Sequence, residues 1–373
     1  MPPKIQISET DDQLFITARP EDPLSFEALF QTATKALAAQ GAVPVHERIF
    51  GHTDTATAAA TARTEAYRAA GLDPSLPFAY LDGKPPWGKG VSGLLIHAVK
   101  PGAHIGNPTP VFSGERRAGS RLRTDRAEYM FLQGFDTEVD PRASRASQTE
   151  QFLNAVDTVI RNEGFSFRDV VRTWFYLKEI LDWYDTFNQV RSAAYERFGI
   201  MPSGATDLLL PASTGIEGHT PLGSCVAADL LLVRPFDGTP PTRMRNPAQK
   251  EAFRYGSAFS RAVEIRERDA SLIEISGTAA IDESGKSLYP DDAETQIRCT
   301  LDKISVLLSG VDASVHNIVS ATVFVKHPEI APLFEKVLAD RGFENFPGII
   351  VHADVCRDDL LFEIDAEAIK PRE

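Results

Sequence analysis

The sequence predicts an α+β fold of three tandem sandwich units that close on one another, sheets inside and helices outside. Three observations predict it. Apolar runs end three times in a basic residue and a proline, at Lys100-Pro101, Arg234-Pro235 and Lys370-Pro371, and near-constant spacing of this kind marks one supersecondary unit used three times. Each copy also carries a helix-spaced apolar pattern, then a glycine, then a run with strand character. A second helix pattern follows before the proline-ended run, so strands and helices alternate as in a layered sandwich.

Taken in order, copy one places Leu29, Ala33, Ala36 and Leu37 on one helical face before Gly41, and closes with the strand Leu94-Leu95-Ile96-His97-Ala98-Val99. Copy two opens with the strand Tyr129-Met130-Phe131-Leu132-Gln133-Gly134. Its first helix shows Phe152, Val156, Val159 and Ile160 before Gly164, and a β-branched and aromatic run follows from Val170 to Leu177. Its second helix aligns Leu181, Tyr184, Phe187, Ala194 and Phe198 before Gly199, spacing that assigns Tyr184 and Phe187 to the core. Copy three repeats the pattern with the strand Leu272-Ile273-Glu274-Ile275-Ser276-Gly277-Thr278. Its helices carry Leu301, Ile304, Leu307 and Leu308 before Gly310, then Ile330, Leu333, Phe334, Val337 and Leu338 before Gly342. The expected units are residues 1–101, 102–240 and 241–373. Each sheet has one face covered by its own helices, and closure around a common axis covers the other.

Composition narrows the function. The 373 residues include 39 basic and 52 acidic ones, a net charge of −13, which argues against a broad nucleic-acid or anionic-membrane surface. A small anionic substrate held by a few arginines remains compatible. The three cysteines, Cys225, Cys299 and Cys356, are too scattered for a disulfide framework or a metal site, so a reducing cytoplasm is the expected compartment. The start, Met1-Pro2-Pro3-Lys4, has no apolar signal region, and no stretch is long enough to span a bilayer. Gly88-Lys89-Gly90-Val91-Ser92-Gly93 fits G-x-G-x-x-G, but Pro85-Pro86-Trp87 precede it and a strand follows, the reverse of what a dinucleotide site needs. No metal or nucleotide cofactor is implied.

The order of elements resembles the YjgF/Rid family, a chorismate-mutase-like fold whose members trimerise with sites between subunits. More specifically the chain resembles the chorismatases, in which such units are fused. The motifs are Arg172-Thr173-Trp174-Phe175-Tyr176-Leu177, Leu181-Asp182-Trp183-Tyr184-Asp185-Thr186-Phe187-Asn188, Pro211-Ala212-Ser213-Thr214-Gly215-Ile216, Tyr255-Gly256-Ser257-Ala258-Phe259-Ser260-Arg261 and Cys356-Arg357-Asp358-Asp359-Leu360-Leu361-Phe362-Glu363. They span roughly positions 120 to 370, and copy one matches as a degenerate, structural unit.

Several residues carry the candidate chemistry. Glu363, at the start of the last strand and walled by Leu361 and Phe362, is either a surface glutamate or a partly desolvated carboxyl able to donate a proton near neutrality. The resemblance implies the second, a general acid. Asp229 in copy two reads as its shorter counterpart. Cys356 is either a small buried hydrophobe or, as in the 3-hydroxybenzoate-forming branch, a group set against the substrate ring. Ser213, Thr214 and Gly215 read as a loop offering hydroxyls and backbone to a carboxylate, and Arg261, at the end of an aromatic-rich strand, as a carboxylate clamp or a surface salt bridge. Arg172 and Arg191 are weaker candidates. The branch-determining small residue of the family is expected near Thr278-Ala279-Ala280, and Ala279 is taken as its position.

The resemblance implies an enzyme converting chorismate to 3-hydroxybenzoate and pyruvate by protonating the enolpyruvyl group. The alternatives are hydrolysis to a dihydroxycyclohexadienoate, a Rid-type imine hydrolase, or a non-catalytic scaffold. Imine hydrolysis resembles a site with an arginine shortly after a Phe-Pro pair, and here Phe346-Pro347 leads into Gly348-Ile349-Ile350. With all units in one chain, a monomer is expected.

Overall fold

The computed structural model describes residues 3–22, 24–136, 140, 142–201, 208–249 and 251–372. The first unit runs β1 (Lys4–Glu9), β2 (Gln13–Arg19), α1 (Phe26–Ala39), β3 (Val43–Gly51), α2 (Ala56–Ala69), β4 (Ala79–Asp82) and β5 (Val91–Val99). The second runs β6 (Thr109–Ser113), β7 (Arg116–Arg123), β8 (Ala127–Phe135), α3 (Arg145–Asn162), β9 (Val170–Leu177), α4 (Tyr184–Arg197), β10 (Ala212–Glu217) and β11 (Val226–Pro235). The third runs β12 (Thr242–Met244), β13 (Ala262–Arg266), β14 (Ala270–Ala279), α5 (Ala293–Ser309), β15 (Ile318–Val325), α6 (Ala331–Asp340), β16 (Gly348–His352) and β17 (Phe362–Pro371).

The three sheets share one order. In the first it is β1-β2-β5-β3-β4, and the second and third repeat it with one added edge strand each, β6 and β12. Only the short last strand of each sheet, β4, β10 or β16, runs parallel to its neighbour. These strands escape the sequence reading because four to six residues show too little periodicity. The first unit, expected to be degenerate, has five strands and two helices of its own.

The helices form for the reasons their spacing predicts. In α1, Phe26, Leu29, Phe30, Ala33 and Leu37 are buried on one face, and Gly41 follows with φ 59°, a conformation that suits glycine at a helix end. Ser144 accepts from the Ser147 N–H to cap α3, and Asp292 accepts from the Thr295 N–H to cap α5. The strands β5, β9 and β15 are buried along their whole length. Both faces are covered, which is why their sequences read as continuous apolar runs rather than alternating ones.

One face of each sheet packs on its helices; the other faces meet in a common core. That core takes Phe15, Phe50 and Leu95 from the first unit, Phe131, Trp174 and Tyr176 from the second, and Val263, Leu272 and Phe324 from the third. At its centre Phe50 meets Tyr176 and Phe324 edge to face, with centroids 6.1 and 6.3 Å apart. Burying such a ring stabilises by roughly 1.5–3 kcal/mol. Phe50, Tyr176 and Phe324 occupy matching places on β3, β9 and β15.

Buried polar and ionisable side chains lie one layer along and join the units in pairs. His46 Nε2 of the first unit lies 2.9 Å from Asp229 Oδ2 of the second. Arg48 lies 3.9 Å from Asp365 and 3.8 Å from Glu367 of the third, and Arg172 lies 3.4 Å from Asp365 and 3.6 Å from Glu274. A buried charge is costly without its partner, so these pairs specify how the units seat. Arg172, a weaker ligand candidate, is thereby occupied between the second and third units.

Candidate active site

Register along the closing strands singles out one junction. Counting eight residues back from Pro101, Pro235 and Pro371 reaches Gly93, Ala227 and Glu363. The pairings agree, since these three oppose Phe50, Tyr176 and Phe324. Only the third unit has a carboxyl group at this level. Asp229 is therefore not the counterpart of Glu363; it opposes Trp174, two residues further along, and matches Asp365 and Leu95.

The junction lies between the second and third sheets, where β10 runs beside β14. The Ser213 N–H donates to Ser276 Oγ at 2.8 Å, and Ala212 bridges to Ser260. Between Ile275 and Thr278 the pairing of β14 with β17 shifts register, a bulge that displaces Ser276 and Gly277. Gly277 leaves the room Glu363 needs: a Cβ there would lie 2.1 Å from Glu363 Oε1 and 3.0 Å from its Cδ. On the other wall, a Cβ on Gly215 would meet the Tyr184 ring at 3.3 Å.

The resulting cleft is lined by Tyr184, Arg191, Ser213, Gly215, Arg261, Gly277, Ala279, Cys356 and Glu363, with Ser257, Phe259, Ile281, Arg357 and Leu360 around them. It is narrow. Its empty space, mouth included, is about 530 Å³.

Six of the seven residues singled out from the sequence thus converge: Glu363, Cys356, Arg261, Ser213, Gly215 and Ala279. Thr214 points away, because Ser213–Gly215 lie on strand β10 and not in a loop, so alternate side chains take opposite faces. Its hydroxyl accepts from Arg172 Nη2 at 2.8 Å and donates to Asp365 Oδ2 at 2.9 Å. Arg261 stands just ahead of β13, after an irregular segment rather than on an aromatic strand; it is 3% exposed and lies over Phe259, 5.3 Å from the ring centroid. Phe362 belongs to the helix-side core and does not wall Glu363. Phe187 is core, but Tyr184 lines the cleft.

Electrostatics distinguish the two reactive groups. Glu363 is buried, and desolvation followed by the nearby Asp365 pushes its pKa up to about 8, against the pull of Arg172 and Arg261. The carboxyl group therefore holds its proton at neutral pH. Burial, then the Glu363 charge, pushes the Cys356 thiol up to about 12, and its sulfur pairs with Tyr184. A thiol so raised is no nucleophile.

Two residues that line the cleft were missed or undervalued. Tyr184 and Arg191 stand seven apart, two helical turns, on the buried face of α4. The signal in the sequence was an arginine among Phe187, Ala194 and Tyr195, a charge placed on an apolar stripe. Arg191 is 1% exposed; its Nη2 donates to Asn188 Oδ1 at 2.6 Å and its Nη1 to Ser213 Oγ at 3.5 Å. Its Nε has no hydrogen-bond partner, and no carboxylate among the described residues lies within ion-pair distance.

Comparison with known proteins bears on this arrangement. Residues 250–370 match the family model described as Endoribonuclease L-PSP. A crystal structure of a chorismatase superimposes with a TM-score of 0.65 at 18% identity, covering 98% of this chain and all of that one. The chain carries the chorismatase fold. Its relatives agree with the chorismatase resemblance. A protein named chorismatase from Streptomyces rapamycinicus is 26% identical over 221 residues, 52% of this chain and 63% of the relative. A protein named 3-hydroxybenzoate synthase from Streptomyces hygroscopicus is 25% identical over 306 residues, 74% of this chain and 85% of the relative. The first of these matches thus spans less than two thirds of its relative's length.

Proposed function

We propose that this chain is an enzyme that converts chorismate, releasing pyruvate, with 3-hydroxybenzoate as the aromatic product. The observation that carries the reading is Glu363: a buried carboxyl group, protonated at neutral pH, that faces a cleft lined by Arg191, Arg261 and Arg357. Chorismate has two carboxylates and an enolpyruvyl ether, so its pocket needs two anion donors and one acid. Arg191 and Arg261 serve as the donors, with the Ser213 hydroxyl and the Gly215 backbone beside them.

Glu363 gives its proton to the enolpyruvyl methylene carbon, and the adjacent ether carbon becomes oxocarbenium-like. The neighbouring ring hydroxyl captures it and its proton returns to the carboxylate. The path continues through an arene oxide to the aromatic acid as pyruvate leaves, and no water is consumed. Cys356, kept as a thiol, and Ala279 shape the side of the cleft that takes the ring. Capture by water instead would give the dihydroxycyclohexadienoate.

On this reading units 1–101, 102–240 and 241–373 form the whole site without a partner subunit, and the protein acts as a cytoplasmic monomer with free cysteines at 225, 299 and 356. No helix among the described residues is long and apolar enough to cross a membrane. The test is to mix the purified protein with chorismate, follow pyruvate with a coupled dehydrogenase, and separate the organic acids by chromatography. Release of pyruvate with 3-hydroxybenzoate is expected. Failure to release pyruvate, or undiminished release by Glu363→Gln, overturns the assignment.

A further inference from the structure

The first unit holds a second copy of the Arg191 arrangement, with one decisive change. Helices α2 and α4 have the same length, and Arg63 stands at the eighth position of one as Arg191 does of the other. Tyr67 and Tyr195 match in the same way. The register that aligns Phe50 with Tyr176 also aligns Glu47 on β3 with Thr173 on β9. In the third unit the same two places hold Leu338 and Ala321, and no charge remains.

In the first unit the guanidinium is already satisfied. Arg63 donates from Nε and Nη2 to Glu47 Oε2 at 3.0 and 2.7 Å, and Tyr67 donates to the same oxygen at 2.6 Å. The arginine and the carboxylate are both within 1% of full burial. In the second unit, Thr173 in the place of Glu47 donates to Ser213 Oγ at 2.9 Å and brings no negative charge. Arg191 is as buried as Arg63, yet its Nε, the atom whose counterpart binds Glu47, is the one left without a partner. A buried guanidinium demands a carboxylate or phosphate oxygen.

We infer that Thr173 is a specificity-determining residue that leaves Nε of the Arg191 guanidinium open to a ligand carboxylate, while Glu47 fills the equivalent place from within the first unit. Glu47 stands in for the ligand: one of its oxygens takes both Nε and Nη2 of Arg63, and in the second unit Nη2 donates to Asn188 Oδ1 while Nε is left for the ligand. The inference rests on reading the cleft as a site for a carboxylate substrate, and it adds the residue that decides acceptance.

The experiment places the missing carboxylate where the first unit has it. Thr173→Glu and the neutral Thr173→Gln are compared with the unaltered protein, using calorimetric binding of benzoate and the KM for chorismate as readouts. Thr173→Glu is expected to weaken benzoate binding and raise KM by about two orders of magnitude or more. Thr173→Gln, similar in size, is expected to stay within about tenfold, because only the charge competes.

Equal loss in both variants, unchanged binding in Thr173→Glu, or no benzoate binding by the unaltered protein overturns the inference. Should Thr173→Glu fail to fold, the near-isosteric Asn188→Asp brings a carboxylate to the same guanidinium from α4, and retained benzoate binding there overturns it equally. If benzoate behaves as expected while chorismate yields no pyruvate, the reaction assignment falls and the role of Thr173 stands.

Discussion

Replacing Glu363 by glutamine tests the buried acid through stability as well as through catalysis. The sign follows from linkage. The folded carboxyl has its pKa raised from 4.5 to about 8, so its protonated form fits the fold, and the stability it contributes is complete below pH 4.5 and lost as pH rises towards 8. Each pH unit in that window is worth about 1.36 kcal/mol. From pH 4.5 to 7 the unaltered protein therefore gives up about 3 kcal/mol at this one side chain, and more by pH 8. Glutamine is neutral throughout and of the same shape. Glu363→Gln should match the parent in stability near pH 5 and exceed it at pH 7 to 8, while pyruvate release collapses. Denaturant midpoints at pH 5, 6, 7 and 8 measure the gap, which should widen with pH. A gap that stays constant would falsify the buried-acid argument, because the carboxyl would then titrate alike in the folded and unfolded chains.

Three further outcomes follow from the same geometry. Gly277→Ala places a Cβ 2.1 Å from Glu363 Oε1, so the acid must swing out of position; kcat should fall at least about 100-fold with the fold intact by circular dichroism. Asp365→Asn removes the negative neighbour that helps raise Glu363, so the alkaline limb of the pH profile of kcat/KM, set near pH 8 by the acid, should move to lower pH; a limb that stays or rises counts against the coupling. Cys356, with its thiol pushed up to about 12, should resist iodoacetamide in the folded protein at pH 8, and Cys356→Ala should alter the ratio of organic acids more than the rate of pyruvate release.

How much of this was legible beforehand depends on which interactions define each feature. The triple repeat was, because Pro101, Pro235 and Pro371 close equivalent strands and an amphipathic helix must show its spacing. Glu363 was legible for the same reason, since it stands at a strand start that the repeat locates. Asp229 was misplaced because the alignment was made by residue type; counting from the prolines pairs it with Asp365. Helical spacing gave Tyr184 only its core side, and Thr214 was misassigned because Ser213–Gly215 read as a loop and not as a strand; the cleft takes its faces from two different units.

By itself the sequence determined that three like units exist, where most of their helices and several of their long strands run, and that Glu363 stands at the start of the third closing strand. Those properties depend on residues near one another in the chain, whose spacing survives without a fold. Tertiary structure alone decided which junction opens, that Gly277 makes room for Glu363, that burial keeps its proton, and that Arg191 lacks the carboxylate Arg63 has. Each of these depends on atoms brought together from distant positions, and desolvation has no signature in a string of letters.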